Sequence, residues 1–428
     1  MKKTPPIILG LAIASLGTTS AFGFAEFARG EVVLSTTARG IYDSRIFGGA
    51  NPADDYIFTL DPQLIYRREA GQIKMEAATG VRVNRYAEFQ ELDSEDFNAS
   101  IKLRLPKEGA TLASGGFESS YDERTDVNVD VNRRVREKIF FNHLAADIPT
   151  GLKTTLLLGG SFRREQRNHF SDRDAWDGTV GFRYQNFLGG SAFDVKYRRL
   201  EVTTSGENEL GIPLDQSSDI YSATFSRPLY HDVRGALTYG YRVLNRSDAE
   251  VLVGQDNRSE GSFVALNLEG PFLPESVFPK VETSLSLGYQ KNESPGLHDT
   301  SSSRFIGSMH VGWHARERTR LFFDARRAQE LSVSDLTVTS TGFNVGVTQA
   351  IGNFTTTSLS GGYEKREYST IDLLGRDDDV YLLQAAAHYR ITSAWSAGAN
   401  YRLRDSQSSV PVADYARHFV SVEANYTF

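Results

Sequence analysis

Apolar and polar residues alternate one for one along most of this 428-residue chain. In "FNASIKLRLP", Phe97, Ala99, Ile101, Leu103 and Leu105 share one face, while Asn98, Ser100, Lys102 and Arg104 share the other. A period of two is that of a strand with one apolar and one wet face. "FTLDPQLIYR" (58–67), "WSAGANYRLR" (395–404) and the closing "VSVEANYTF" (420–428) repeat it. So do 190–204, 233–245, 279–291, 353–366 and 379–390. Strands of soluble sheets average about five or six residues. These patterns run to ten and beyond, the length that crosses a bilayer at a tilt.

The breaks between strands are of two alternating kinds. Tight ones fall at 68–72, 106–109, 148–151, 187–190, 227–232, 315–318, 351–353 and 391–394, with 270–279 a longer member. Polar, often acidic stretches lie between them: 46–55, 90–96, 122–133, 165–174, 205–218, 246–258, 292–302, 331–335, 368–379 and 405–414. Short turns alternating with longer loops mark the periplasmic and extracellular sides of an outer-membrane barrel. Nine turns and ten loops predict about 20 strands, or 18 if one hairpin is misjudged. The predicted fold is therefore all-β, a transmembrane antiparallel barrel. Several strands rising to a loop end in a small residue, an aromatic and then charge, as in "LTYGYRVLNR" (237–246) and "LSGGYEKREY" (359–368). That order suits an aromatic girdle at headgroup level.

Composition sharpens this picture. Aromatics reach 11%, with 19 Tyr and 26 Phe beside 37 Gly, a balance that favours strands. The start, "MKKTPPIILGLAIASLGTTSAFG", has Lys2 and Lys3, an apolar stretch over 7–16 and small residues at Ala21 and Gly23. It predicts a signal peptide over 1–23, because the apolar stretch is too short to span a bilayer. The single barrel domain is then 24–428. The chain has no Cys, so neither disulfides nor a cysteine-linked lipid enter the expectation. Losing Lys2 and Lys3 takes the net charge from −7 to −9, which speaks against nucleic acid as a partner.

In the last strand Val420, Val422, Tyr426 and Phe428 should meet lipid and close the barrel against 31–45, leaving no unpaired backbone in hydrocarbon. A terminal strand ending in Phe, with Tyr two residues before it, also resembles the signature by which outer-membrane proteins are recognised for assembly. The barrel assembly machinery is thus an expected partner, as are outer-membrane lipids and lipopolysaccharide.

"GIYDSRIF" (40–47) and "DYIFTLDPQLIYRREAGQIKMEAATGVRVNRYAEF" (55–89) carry a more specific likeness. The Tyr-Asp-Ser start, the "DYIFTLDP" second strand and the third strand ending at Tyr86 resemble the β-barrel porin-2 group, traceable over about 31–105. Members are often found with exopolysaccharide and capsule export systems. The resemblance implies a conduit for such a polymer, working with a periplasmic polysaccharide-export protein.

For chemistry, G-x-S-x-G and H-E-x-x-H are both missing, and neither a cofactor nor a metal is expected. His310 and His314 in "HVGWH" would share a metal on a helix, but on a strand they stand roughly 13 Å apart. Asp377, Asp378 and Asp379 read as a solvated loop, with divalent bridging to lipopolysaccharide as an alternative use.

If the polar faces point inward, the lumen presents Arg67, Arg82, Lys102, Arg104, Arg183, Lys196, Arg198, Arg234, Arg242, Arg326, Arg366, Arg390, Arg402 and Arg404. Against them stand Asp61, Glu76, Asp194, Glu269, Glu282, Asp324, Glu364 and Glu423. Either these charges brace the wall in pairs or their basic excess favours anionic solutes. Three functions stay open: polysaccharide conduit, general or solute-specific porin, and outer-membrane structural protein or enzyme. A long loop folded inward as a constriction would favour the porin, and none of the ten predicted loops exceeds about 14 residues. No plug domain precedes strand one, which counts against a gated siderophore-type transporter.

Overall fold

The computed structural model describes residues 25–27, 29–48, 51–69, 72–105, 113–128, 133–168, 170–205, 215–230, 232–246, 258–273, 278, 280–294, 300–331, 337–369 and 376–427. The expected signal peptide and Phe428 lie outside them.

Twenty antiparallel strands form one closed barrel. They are β1 (Gly30–Asp43), β2 (Asp55–Arg68), β3 (Lys74–Tyr86), β4 (Ser94–Leu105) and β5 (Ser114–Asn128). Next come β6 (Arg133–Pro149), β7 (Thr154–Arg167), β8 (Asp172–Phe187), β9 (Ser191–Ser205) and β10 (Gln216–Tyr230). Then follow β11 (Val233–Arg246), β12 (Arg258–Glu269), β13 (Val281–Ser294), β14 (Thr300–Arg316) and β15 (Thr319–Leu331). The last are β16 (Thr337–Ile351), β17 (Thr355–Ser369), β18 (Arg376–Arg390), β19 (Trp395–Ser408) and β20 (Tyr415–Thr427). A three-residue strand, Ala25–Phe27, pairs with the start of β1.

Each strand pairs with the next in sequence, and β20 closes on β1 from Ser35↔Thr427 to Asp43↔Phe419. Closure gives every barrel strand two ladders, the condition for placing β structure in hydrocarbon. The count settles at the upper of the two expected values.

Alternation fixes the two faces. Phe58, Leu144, Trp176, Val195, Leu237, Val345 and Leu359 are all exposed on the outer face. In β20, Val420 and Val422 are 40% and 62% exposed, and the Tyr426 ring lies 4.3 Å from that of Trp395. Such a band is stable only against an apolar medium, and its opposite face lines the lumen. Aromatic side chains gather at the band's loop-side edge: Phe97 with Tyr121, Phe162 with Trp176, Tyr197 with Tyr221, and Tyr363 with Tyr381. Their hydroxyls reach carboxylates one row further out, from Tyr197 to Asp219 (2.7 Å) and Tyr363 to Asp379 (2.5 Å). That arrangement gives the aromatic-then-charge repeat its physical reason.

Glycine matters where an inner ring needs room. Gly240 and Gly346 lie beneath the Phe263 and Phe322 rings of their cross-strand partners, and a Cβ would fall 2.2 and 2.5 Å from ring carbons.

Strands are longer and loops shorter than the sequence suggests. The stretches 122–128, 165–167 and 172–174 belong to strands. Cross-strand ion pairs above the apolar band, such as Arg164–Asp174 at 2.5 Å, carry the ladders outward. The acidic run is corrected for the same reason. Asp377–Asp379 lies within β18, not in a loop, and Asp378 is buried in a bidentate pair with Arg376 at 2.9 and 2.6 Å.

Candidate lumen and extracellular mouth

Most of the basic residues singled out from the sequence sit on the lumen face beside a carboxylate. Arg67 pairs with Glu76 (3.4 Å), Arg82 with Asp61 (3.3 Å) and Lys102 with Glu118 (3.1 Å). Asp194 takes both Arg183 (2.8 Å) and Lys196 (3.5 Å), and Arg198 binds Asp177. Arg366 pairs with Glu364 at 2.8 Å, and Arg242 donates to Ser218 Oγ at 2.8 Å. Arg326 is on the same face of β15 as Asp324. Arg390 donates to the Asn353 carbonyl and lies over the Phe354 ring at the turn-side rim.

Five of the set make no ion pair among the described residues: Arg104, Arg234, Arg390, Arg402 and Arg404. Arg234 is in register with Glu269, while Arg402 lies over the Phe419 ring and Arg404 stands beside Arg417. Two of the five, Arg402 and Arg404, share β19, and the others lie one each on β4, β11 and β18.

Several lumen charges lie outside the sequence-derived set: Arg39, which pairs with Glu423 (2.9 Å), Glu118, Asp147, Asp177 and Arg320, which pairs with Glu282 (3.0 Å). Alternation alone would have placed them once β1, β5, β6, β8 and β15 were delimited. The two histidines point into the lumen without converging on a metal. His310 Nδ1 is 2.6 Å from Asp324, and His314 is 4.0 Å from Glu282. No group of three or more His, Cys, Asp or Glu able to hold a metal ion occurs among the described residues.

The loop-side end of the lumen shows what alternation hides. Inward positions there include Ile57, Tyr86, Val135, Val338, Val380 and Tyr415, all buried. Ile46, between β1 and β2, has 0% exposure. The Arg134 Nη1 donates to the Ile46 carbonyl at 3.2 Å, and its other nitrogen bonds the Tyr86 hydroxyl while the guanidinium stacks 4.9 Å over that ring. Arg134 is on β6, four strand spacings or about 19 Å along the wall from β2. Residues 44–48, in the connection from β1 to β2, and the top of β6 therefore meet at the loop-side end of the lumen.

Further bonds hold this strap. Ser44 N–H donates to the His418 carbonyl and Arg45 to that of Ala416, both at 3.0 Å. Phe47 packs edge-on against Phe89, whose backbone N–H donates to Asp55 at 3.1 Å. Asp43, buried, receives a bidentate bond from Arg417 at 2.9 and 2.6 Å. Phe170 and Ala413, in two other connections, are also buried. No long inward loop was expected, and the connection that reaches inward is a short one, held by an arginine from a distant strand.

Among solved structures, the copper transporter OprC aligns at 10% identity with a TM-score of 0.51, covering 94% of this chain and 84% of that one. The ferric citrate transporter FecA aligns at 9% identity and TM-score 0.48, over 93% and 78%. OpdK of Pseudomonas aeruginosa, solved with vanillate, aligns at 11% and 0.40, over 95% and 100%. At these identities the likeness concerns the fold alone. No curated protein sequence matches the chain. A family profile does match, over residues 279–428, which contain β13 to β20 and not the N-terminal strands where the likeness was first traced. The closed barrel and its outer apolar band make the chain a transmembrane antiparallel β-barrel, and its residues 279–428 match the family described as Putative beta-barrel porin 2.

Proposed function

We propose that the barrel is a passive channel for hydrophilic solutes, with a preference for anions, narrowed at its extracellular mouth. The single observation behind this is the strap at Ile46 and Arg134, which covers part of an opening that twenty strands would otherwise leave wide. Arg104, Arg402 and Arg404, left without carboxylate partners, support the charge preference, since fixed positive charge lowers the cost of an anion nearby. A polysaccharide conduit with a periplasmic export partner is the second reading, and the porin-2 likeness supports it. A partly covered mouth suits a small solute better than a continuous polymer. The closing strand remains the proposed recognition element for the assembly machinery.

Liposome swelling with sugars of graded size, alongside planar-bilayer reversal potentials, tests this. Monosaccharides should enter faster than long oligosaccharides, and chloride should outrun potassium. Equal entry of long polymer would favour the conduit, and absence of conductance would sink the channel.

A further inference from the structure

Beneath the loop-side girdle, the outer wall has a dip where a small residue interrupts large ones. Three tyrosines, Tyr197, Tyr221 and Tyr241, stand level on β9, β10 and β11. The next row toward the membrane centre reads Val195, Ala223, Tyr239. Ala223, with only a methyl group, floors a groove of about 300 Å³ walled by these five larger side chains. The volume is at the lower end for ligand sites, and the groove opens onto the face where Phe193, Phe225 and Leu237 are exposed.

The row above the tyrosines is charged. Arg199 is directly opposite Asp219, with Val243 beyond it facing Glu260 on β12. The Tyr197 hydroxyl donates to Asp219 at 2.7 Å, which turns that carboxylate toward the ring, and Tyr241 does the same to Glu260. Arg199 is left with long contacts, 3.5 Å to Asp219 and 3.8 Å to Glu201, and its side chain is 51% exposed. An apolar slot, a tyrosine row at headgroup depth and a half-exposed guanidinium with two long ion pairs are thus stacked along one line of the wall.

From this stacking we infer that the outer face of β9–β11 binds one phosphorylated, acylated glycolipid of the outer leaflet. An acyl chain lies over Ala223, sugar rests on the tyrosine faces, and phosphate reaches Arg199. Only a membrane lipid has access to a slot on the outer band, and longer loops on this side put it in the outer leaflet. A guanidinium offers a planar fork that matches phosphate geometry. Asp219 and Glu260 in the same row as Arg199 also suit a leaflet of phosphates bridged by divalent cations. The inference rests on the outer-membrane reading of the barrel and not on what passes through it.

The test uses the refolded full chain in phosphatidylcholine nanodiscs doped with bis-phosphorylated lipid A, read by native mass spectrometry after gentle release. One lipid A per barrel should survive. Ala223→Trp, which fills the slot from the lipid side, and Arg199→Gln should each remove it. Ala385→Trp, on the outer face of β18, should keep it. Dephosphorylated lipid A should be retained less by the original chain and equally by Arg199→Gln. Heat-modifiable migration shows first that each variant is a folded barrel. Failure of every form to insert would overturn the membrane reading. Insertion with the same lipid retained by Ala223→Trp as by the original chain would overturn the lipid site alone.

Discussion

The lumen face carries the same kind of chemistry at its two ends, arginine against carboxylate, in two different environments. Near the turns, Arg67 and Glu76 keep 52% and 50% of their side-chain exposure, and Glu282, paired with Arg320, keeps 65%. At the mouth, Asp43 under Arg417 keeps 1% and Asp378 under Arg376 keeps 3%. The first pairs are wall charges in water, worth about 0–1 kcal/mol each. The second are held in a packed layer with Ile46, Val135 and Val380, where losing one partner strands a buried charge. One end is therefore a wet vestibule and the other a structured rim, although the sequence uses the same residue types for both.

That contrast depends first on which end faces outward. Cys replacing Leu152, fully exposed in the β6–β7 turn, should resist an impermeant thiol reagent on intact cells, and Cys at Asn51, exposed in the strap, should react. The opposite pattern would invert the barrel. Asp378, buried in its ion pair, is a poor labelling site for the same purpose.

The next effect in size concerns the rim. Arg417→Ala leaves buried Asp43 without its cation, with only the Arg45 N–H bonded to it, and should destabilise the barrel by about 3–5 kcal/mol in a denaturant titration of folded protein. Removing Asp43 as well should recover part of that loss. A loss no greater than that of Arg67→Ala would erase the distinction between the ends.

The strap comes third. Arg134→Ala removes a charged donor from the Ile46 carbonyl and the Tyr86 hydroxyl, a loss of about 1.5–3 kcal/mol for a bond to a charged group. Single-channel conductance should rise as the strap leaves the opening. Unchanged conductance would mean that the passage is limited elsewhere.

Wall charge gives a smaller, graded effect. Replacing Lys102, Arg104, Arg402 and Arg404 by Gln should move the reversal potential toward cations. The shift should fade at 1 M salt, where the Debye length is ~3 Å. No shift would show that carboxylates elsewhere compensate these side chains. Smallest of all, Arg67→Ala in the vestibule should cost under about 1 kcal/mol in the same denaturant titration.

The residue pattern by itself determined strand direction, the inward and outward faces, the outer band and the alternation of short and long connections. The faces and the band follow from one local rule, that successive side chains on a strand point opposite ways, and the connections from where that alternation breaks. Leu103 and Arg104, or Val422 and Glu423, can be assigned without any knowledge of their neighbours. Tertiary structure alone decided which carboxylate each lumen arginine meets, because register between strands sets Arg183 against Asp194 and leaves Arg404 beside Arg417. It also decided the mouth. Ile46 is an apolar residue in a loop and Arg134 a basic one on a strand 88 positions away, and nothing local to either announces the other. Only the curl of the wall from β2 to β6 brings them together at the loop-side end, where burial turns an ordinary loop into a strap and an ordinary ion pair such as Asp43–Arg417 into part of a packed layer.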